Sequence, residues 1–94
     1  MSDPAFNATR FATMPLIAIL RGQPEHIVEP VVQALSEGGF TALEITMNSP
    51  GAVAQIRAAV AHLQGRMDIG AGTVTTLAEL DEAASAGASF IVTP

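Results

Sequence analysis

The chain has 94 residues, 49% of them hydrophobic, with a formal net charge of −5 and a mean hydropathy of +0.40. That length holds one domain at most, and the apolar content excludes a disordered tail. Its four cations are all arginines, and lysine and cysteine are both absent, which excludes a basic nucleic-acid surface, a disulfide framework and thiolate metal sites.

Residues 1–14 read as a leader with a short helix capping one end of the domain; residues 15–94 read as the domain itself, cut off after a fourth strand. Met14–Leu20 follows Arg10 and has the look of a signal-peptide core. Asp3, the Arg21-Gly22 pair behind the run and the lack of an A-x-A-like cleavage site argue against that. No apolar stretch nears the ~20 residues that span a bilayer, so cytoplasm is the expected compartment. There the Asn7-Ala-Thr9 sequon carries no meaning.

Pro15–Leu20 is a continuous apolar run suited to a strand covered on both faces. Gln23-Pro24-Glu25 opens a helix, with proline in the first turn and glutamate against the macrodipole. Ile27, Val31 and Leu35 share its face, flanked by Val28 and Val32, and Gly38-Gly39 ends it. Pro30 predicts a bend or a late helix start. Ala42–Met47 alternates, with Ala42, Glu44 and Thr46 on one face and Leu43, Ile45 and Met47 on the other. Ser49-Pro50 supplies an N-cap and a first helical residue for a helix buried through Val53, Ile56, Val60 and Leu63 and closed by Gly65.

Met67–Gly72 is the third strand. Thr76-Leu-Ala-Glu79 is a capping-box pattern opening a third helix, with Leu77, Leu80 and Ala84 inward and Gly87 at its end. Phe90–Val92 makes the fourth strand. Strand starts near residues 16, 42, 67 and 89 are evenly stepped, as repeated β/α units require. The fold class expected is α/β, the N-terminal half of a (β/α)8 TIM barrel, since a complete barrel takes about 250 residues.

In that architecture chemistry sits at the C-terminal ends of strands. Leu43 and Ile45 need the helix side, so Glu44 must point into the barrel. A carboxylate buried there costs several kcal/mol or takes up a proton as its pKa rises, which suits a general acid/base near neutral pH. The other reading is an internal ion pair with Arg21. Arg21 ends the first strand on the face of Ile17 and Ile19; it clamps a carboxylate, serves as that partner or is a solvated loop arginine. Gly70-Ala-Gly-Thr73 does not complete a dinucleotide fingerprint, because Thr75 stands at the third glycine. Its glycines let backbone approach the site, with Thr73 offering a hydroxyl and an N–H to an anion; a plain strand-end turn is the alternative. His26 and His62 lie on helices without ligand spacing, so neither metal nor cofactor is expected.

Pro15-Leu-Ile-Ala-Ile-Leu-Arg-Gly22, Glu44-Ile-Thr-Met-Asn-Ser-Pro50, Ile69-Gly-Ala-Gly-Thr-Val74 and Ile91-Val-Thr-Pro94 resemble, in order and spacing, the 2-keto-3-deoxy-6-phosphogluconate/6-phosphogalactonate aldolases. These are (β/α)8 class I aldolases. The resemblance implies reversible cleavage of a phosphorylated keto-deoxy sugar acid to pyruvate and glyceraldehyde 3-phosphate through a lysine Schiff base. It assigns proton shuttling to Glu44, pyruvate contact to Thr73 and substrate-carboxylate binding to Arg21. Arg21 with Asn48 fits the galactonate branch, and Pro94 lines the pocket. It also implies a homotrimer. The Schiff-base lysine would lie beyond the fourth strand, so these 94 residues alone are expected to be inactive. Two rivals stand beside this reading: a non-catalytic half-barrel that pairs its open sheet edges with another copy or with a complementary half, and another phosphosugar-handling barrel enzyme.

Overall fold

The computed structural model describes residues 6–63 and 65–94. Helix α1 (Ala8–Thr13) precedes strand β1 (Ala18–Leu20), helix α2 (Glu25–Glu37), strand β2 (Ala42–Thr46), helix α3 (Ala52–His62), strand β3 (Asp68–Gly72), helix α4 (Leu77–Ser85) and strand β4 (Phe90–Ile91). The strands form one parallel sheet in the order β1-β2-β3-β4, so each β/α unit lays its strand beside the previous one. That sequential order is how a β/α barrel is wound; a doubly wound sheet reverses its order partway.

Registers fix which side chains share a face. Glu44 pairs with Ile19 and Gly70, and Thr46 with Gly72. Arg21, Ile19, Glu44, Thr46, Gly70 and Gly72 therefore belong to the inner side. Leu43, Ile45, Ile69 and Ala71 belong to the side covered by α2, α3 and α4, where they join Val28, Val32, Ile56, Ala59 and Leu63 in the core. β2 and β3 are buried along their whole length. The inner side is open: Ile17 and Ile19 are 40% and 58% exposed.

Helix α1 lies across the N-terminal end of the sheet, held by one buried carboxylate. Asp68 Oδ2 accepts from the Asn7 N–H at 3.1 Å and from Arg10 Nη2 at 3.2 Å, while Oδ1 accepts from Ser89 Oγ at 2.9 Å. Arg10 Nη1 also donates to the Gly65 carbonyl at 2.6 Å.

Several local expectations change. β1 is shorter than the apolar run Pro15–Leu20, because only Ala18, Ile19 and Leu20 find ladder partners on β2. α2 runs through Pro30 unbroken. Pro30 and His26 are both exposed, so the one carbonyl deprived of its intrahelical donor can face water. Its buried line is Val28 and Val32, with Ile27, Val31 and Leu35 beside them. α3 buries Ile56 and Leu63 as expected, but Val53 and Val60 are half-buried while Ala52, Gln55 and Ala59 face the core. In α4 the inward residue is Ala83, followed by buried Ala86 at the C-cap, while Leu77 is 80% exposed, with Leu80 and Ala84 also outward. Just past the helix the chain stays close to α3: a Cβ built at Gly87 would meet Val60 Cγ1 at 3.1 Å.

Candidate functional site

Glu44, Arg21 and Thr73 converge at the C-terminal end of the sheet. Each reaches it for a separate reason. Glu44 sits mid-strand, is 6% exposed, and lies over Gly72, whose missing side chain leaves the space that the carboxyl group fills. Burial pushes its pKa above the ordinary 4.5, and the Arg21 guanidinium pulls it partly back. Desolvation outweighs that attraction.

Arg21 follows the last residue of β1, and its Nη2 donates to Thr73 Oγ1 at 3.2 Å. The guanidinium thus hydrogen-bonds the third strand's threonine and acts on Glu44 through its charge. Thr73 adopts φ +54°, the left-handed region that β-branched residues avoid. Leaving β3 in that conformation costs on the order of 1–3 kcal/mol. The three residues leave donors, a hydroxyl and a buried carboxyl at one open face, a set able to orient a small carboxylate and move a proton beside it.

The glycines of β3 work differently from expectation. Their room is taken by side chains from neighbouring strands: Glu44 over Gly72 and the Phe90 ring over Gly70. Phe90 in turn meets Phe6 edge-on, with ring centroids 5.7 Å apart.

Ser49 is placed otherwise than predicted. The N-cap of α3 is Gly51 at φ +72°, with no side-chain cap bond. Ser49 Oγ instead accepts the Gly22 N–H at 2.7 Å and bonds Thr46 Oγ1 at 2.8 Å. The Gly22 link spans 27 residues, a tertiary geometry that no local pattern carries. Asn48 and Pro94 are exposed.

The Thr76 cap forms as read: its Oγ1 accepts the Glu79 N–H at 3.1 Å. Glu79 reaches one residue further back than a standard capping box, to the N–H of Thr75 at 2.8 Å and its hydroxyl at 3.0 Å, and these bonds hold its pKa below 4.5. His62 lies apart from the strand ends, its Nε2 2.8 Å from Gln33 Oε1 and its Nδ1 3.5 Å from Glu29. A cavity of about 110 Å³ beside it, between α2 and α3, contains none of the three converging residues. Among the described residues no three His, Cys, Asp or Glu side chains cluster as metal ligands would, and no helix is long and apolar enough to cross a membrane.

Parallel β/α units laid down in sequential strand order define a β/α-barrel type of architecture. The family follows from comparison: residues 8–94 match the KDPG and KHG aldolase family, and the chain belongs to it. It is 48% identical over 80 residues to the probable 2-dehydro-3-deoxy-6-phosphogalactonate aldolase of Rhizobium meliloti (strain 1021), covering 85% of this chain and 38% of that protein. It is 42% identical over 81 residues to the 2-dehydro-3-deoxy-6-phosphogalactonate aldolase of Escherichia coli (strain K12), covering 86% and 40%. Among solved structures, one described as native KDPGal superposes with a TM-score of 0.82 at 42% identity, covering 86% of this chain and 39% of that one. The KDPG aldolase from Legionella pneumophila, with pyruvate captured at low pH as a covalent carbinolamine intermediate, gives 0.81 at 30% identity, covering 90% and 41%. The chain thus spans about two-fifths of the relatives it matches, and its sheet corresponds to the N-terminal half of their barrel.

Proposed function

We propose that these residues form the proton-transfer side of a class I aldolase that cleaves a phosphorylated 2-keto-3-deoxy sugar acid to pyruvate and glyceraldehyde 3-phosphate. The buried Glu44 carboxyl at the strand ends carries this reading. Its raised pKa keeps the protonated form accessible, so the same group can accept a proton and return it. Cleavage needs an electron sink at the keto carbon, which an iminium formed with a lysine amine supplies. As the C3–C4 bond breaks, its electrons enter that iminium to give an enamine, and the C4 hydroxyl becomes the aldehyde. Glu44 takes the hydroxyl proton and delivers one to C3 of the enamine; hydrolysis then frees pyruvate. Arg21 binds the substrate carboxylate and Thr73 contacts the pyruvate portion. The lysine is not among these 94 residues and belongs to a later strand.

The galactonate epimer is the proposed substrate, supported by Arg21 standing with Asn48 and by the two relatives named from Rhizobium meliloti and Escherichia coli. The working form proposed is a cytoplasmic homo-oligomer, a trimer by family resemblance, in which residues 1–14 form a leader and residues 15–94 the first half of the barrel domain. Borohydride reduction with pyruvate should add a covalent three-carbon unit to the protein isolated from its source cells and leave the 94-residue polypeptide unlabelled. An unlabelled native protein would reject the assignment, and equal turnover of the gluconate and galactonate epimers would reject the substrate choice. Exposed Ile17, Ile19 and Val92 favour a second reading, in which the polypeptide by itself pairs with another copy. A soluble monomer by light scattering would remove it.

A further inference from the structure

The loop between β1 and α2 is tied down at two successive residues. Gln55 Nε2 donates to the Gln23 carbonyl at 3.1 Å on the helix side. On the strand side Ser49 Oγ accepts the Gly22 N–H at 2.7 Å. Gly22 follows Arg21 directly and turns at φ +65°. The peptide plane leaving Arg21 is therefore fixed by Ser49. Arg21 is itself exposed, and the bond its guanidinium makes to Thr73 is exposed too. An exposed arginine on an untethered loop samples many directions; this one is aimed by its backbone.

Ser49 can hold that loop because it is held from the other side. It is 6% exposed, its N–H donates to the Thr46 carbonyl at 3.0 Å, and its hydroxyl is hydrogen-bonded at 2.8 Å to that of Thr46, which is fully buried. We infer that Ser49 is a positioning residue: it anchors the Arg21-Gly22 peptide to the end of β2 and so directs the Arg21 guanidinium to the substrate's carboxylate. This rests on the carboxylate-binding role proposed for Arg21.

The test uses the native protein with Ser49→Ala, Ser49→Thr and Arg21→Ala variants. Ser49→Ala should raise KM about tenfold with kcat within about twofold, since uniform binding is lost and the chemical step is not touched. Ser49→Thr keeps the hydroxyl and should return KM to within about twofold of wild type. On an Arg21→Ala background, Ser49→Ala should add nothing to KM, because the two act as one unit. Amide exchange at Gly22 should quicken in Ser49→Ala and stay slow in Ser49→Thr. A lower melting temperature with unaltered KM in Ser49→Ala, beside a raised KM in Arg21→Ala, would overturn the inference, as would unchanged protection at Gly22. Unaltered KM in Arg21→Ala with Gly22 protection lost in Ser49→Ala would instead sink the carboxylate role and leave the anchor standing.

Discussion

Replacing Gly72 by alanine puts a methyl carbon where the Glu44 carboxyl lies. The new Cβ would stand 2.6 Å from Glu44 Cγ, against 3.4–4 Å for ordinary contact, so the stem must retreat by at least about 0.8 Å and the carboxyl by more. Gly72 has no positive φ, so alanine is acceptable to the backbone and the cost is steric alone. Overpacking of this kind costs about 1–3 kcal/mol, and the lower end applies because Glu44 can swing toward the open side. In the proton-transfer role proposed for Glu44, a displacement on the order of 1 Å costs about a hundredfold in rate, equivalent to about 2.7 kcal/mol of transition-state stabilisation.

Gly70→Ala is the matched control. It lies on the same strand and face, but the three atoms nearest its methyl group would all belong to the Phe90 ring. Both variants should lower the urea midpoint by similar amounts. With pyruvate release followed by coupled NADH oxidation, kcat/KM should fall about a hundredfold for Gly72→Ala and stay within about threefold for Gly70→Ala. Equal activity losses in the two variants would refute the idea that Gly72 exists to seat Glu44.

Because burial raises the pKa of Glu44, the folded state holds its proton more tightly than the unfolded chain. Stability from this group is thus greatest below the ordinary value of 4.5 and is lost as pH rises through the folded value. Glu44→Gln should match wild type in acid and be the more stable protein above that window, measured by denaturant titration at several pH values. Glu79 has the opposite sign: its lowered pKa gives stability above 4.5 that disappears as pH falls through the folded value. Glu79→Gln should flatten that acid limb, and Thr76→Ala should cost about 1 kcal/mol by removing the N-cap, both read by thermal melts. Asp68→Ala strands Arg10, a side chain 24% exposed beside a carboxylate only 3% exposed. It should destabilise by about 3 kcal/mol in urea, the low end for a broken buried pair because Arg10 keeps some access to water.

The fold was legible because parallel strands and their covering helices leave different periods in the chain. Leu43, Glu44 and Ile45 show why: two apolar neighbours that need the helix side force the third residue inward. The buried face of α4 departs from its hydrophobic pattern because apolarity does not measure depth. Leucine is the more apolar residue, but Ala83 and Ala86 are the ones that let the helix lie close to its neighbours. Ser49 departs from its local pattern for a related reason. Ser-Pro looks like a cap within its own segment, while its actual partner, Gly22, is 27 residues away.

Gly72 and Glu44 show what kind of information a single strand lacks. Alternation decides that Glu44 turns inward but not where along the barrel axis its carboxyl comes to rest. That depends on register, which places Thr46 of β2 beside Gly72 of β3 and leaves a gap just past Glu44 toward the strand ends. The carboxyl leans into the gap, toward the end where Arg21 and Thr73 also arrive. Had β3 carried a larger residue at 72, the same glutamate would be forced back toward β1 and the open inner side, where water would lower its pKa again. Its raised pKa thus depends on a glycine in the neighbouring strand as much as on its own burial.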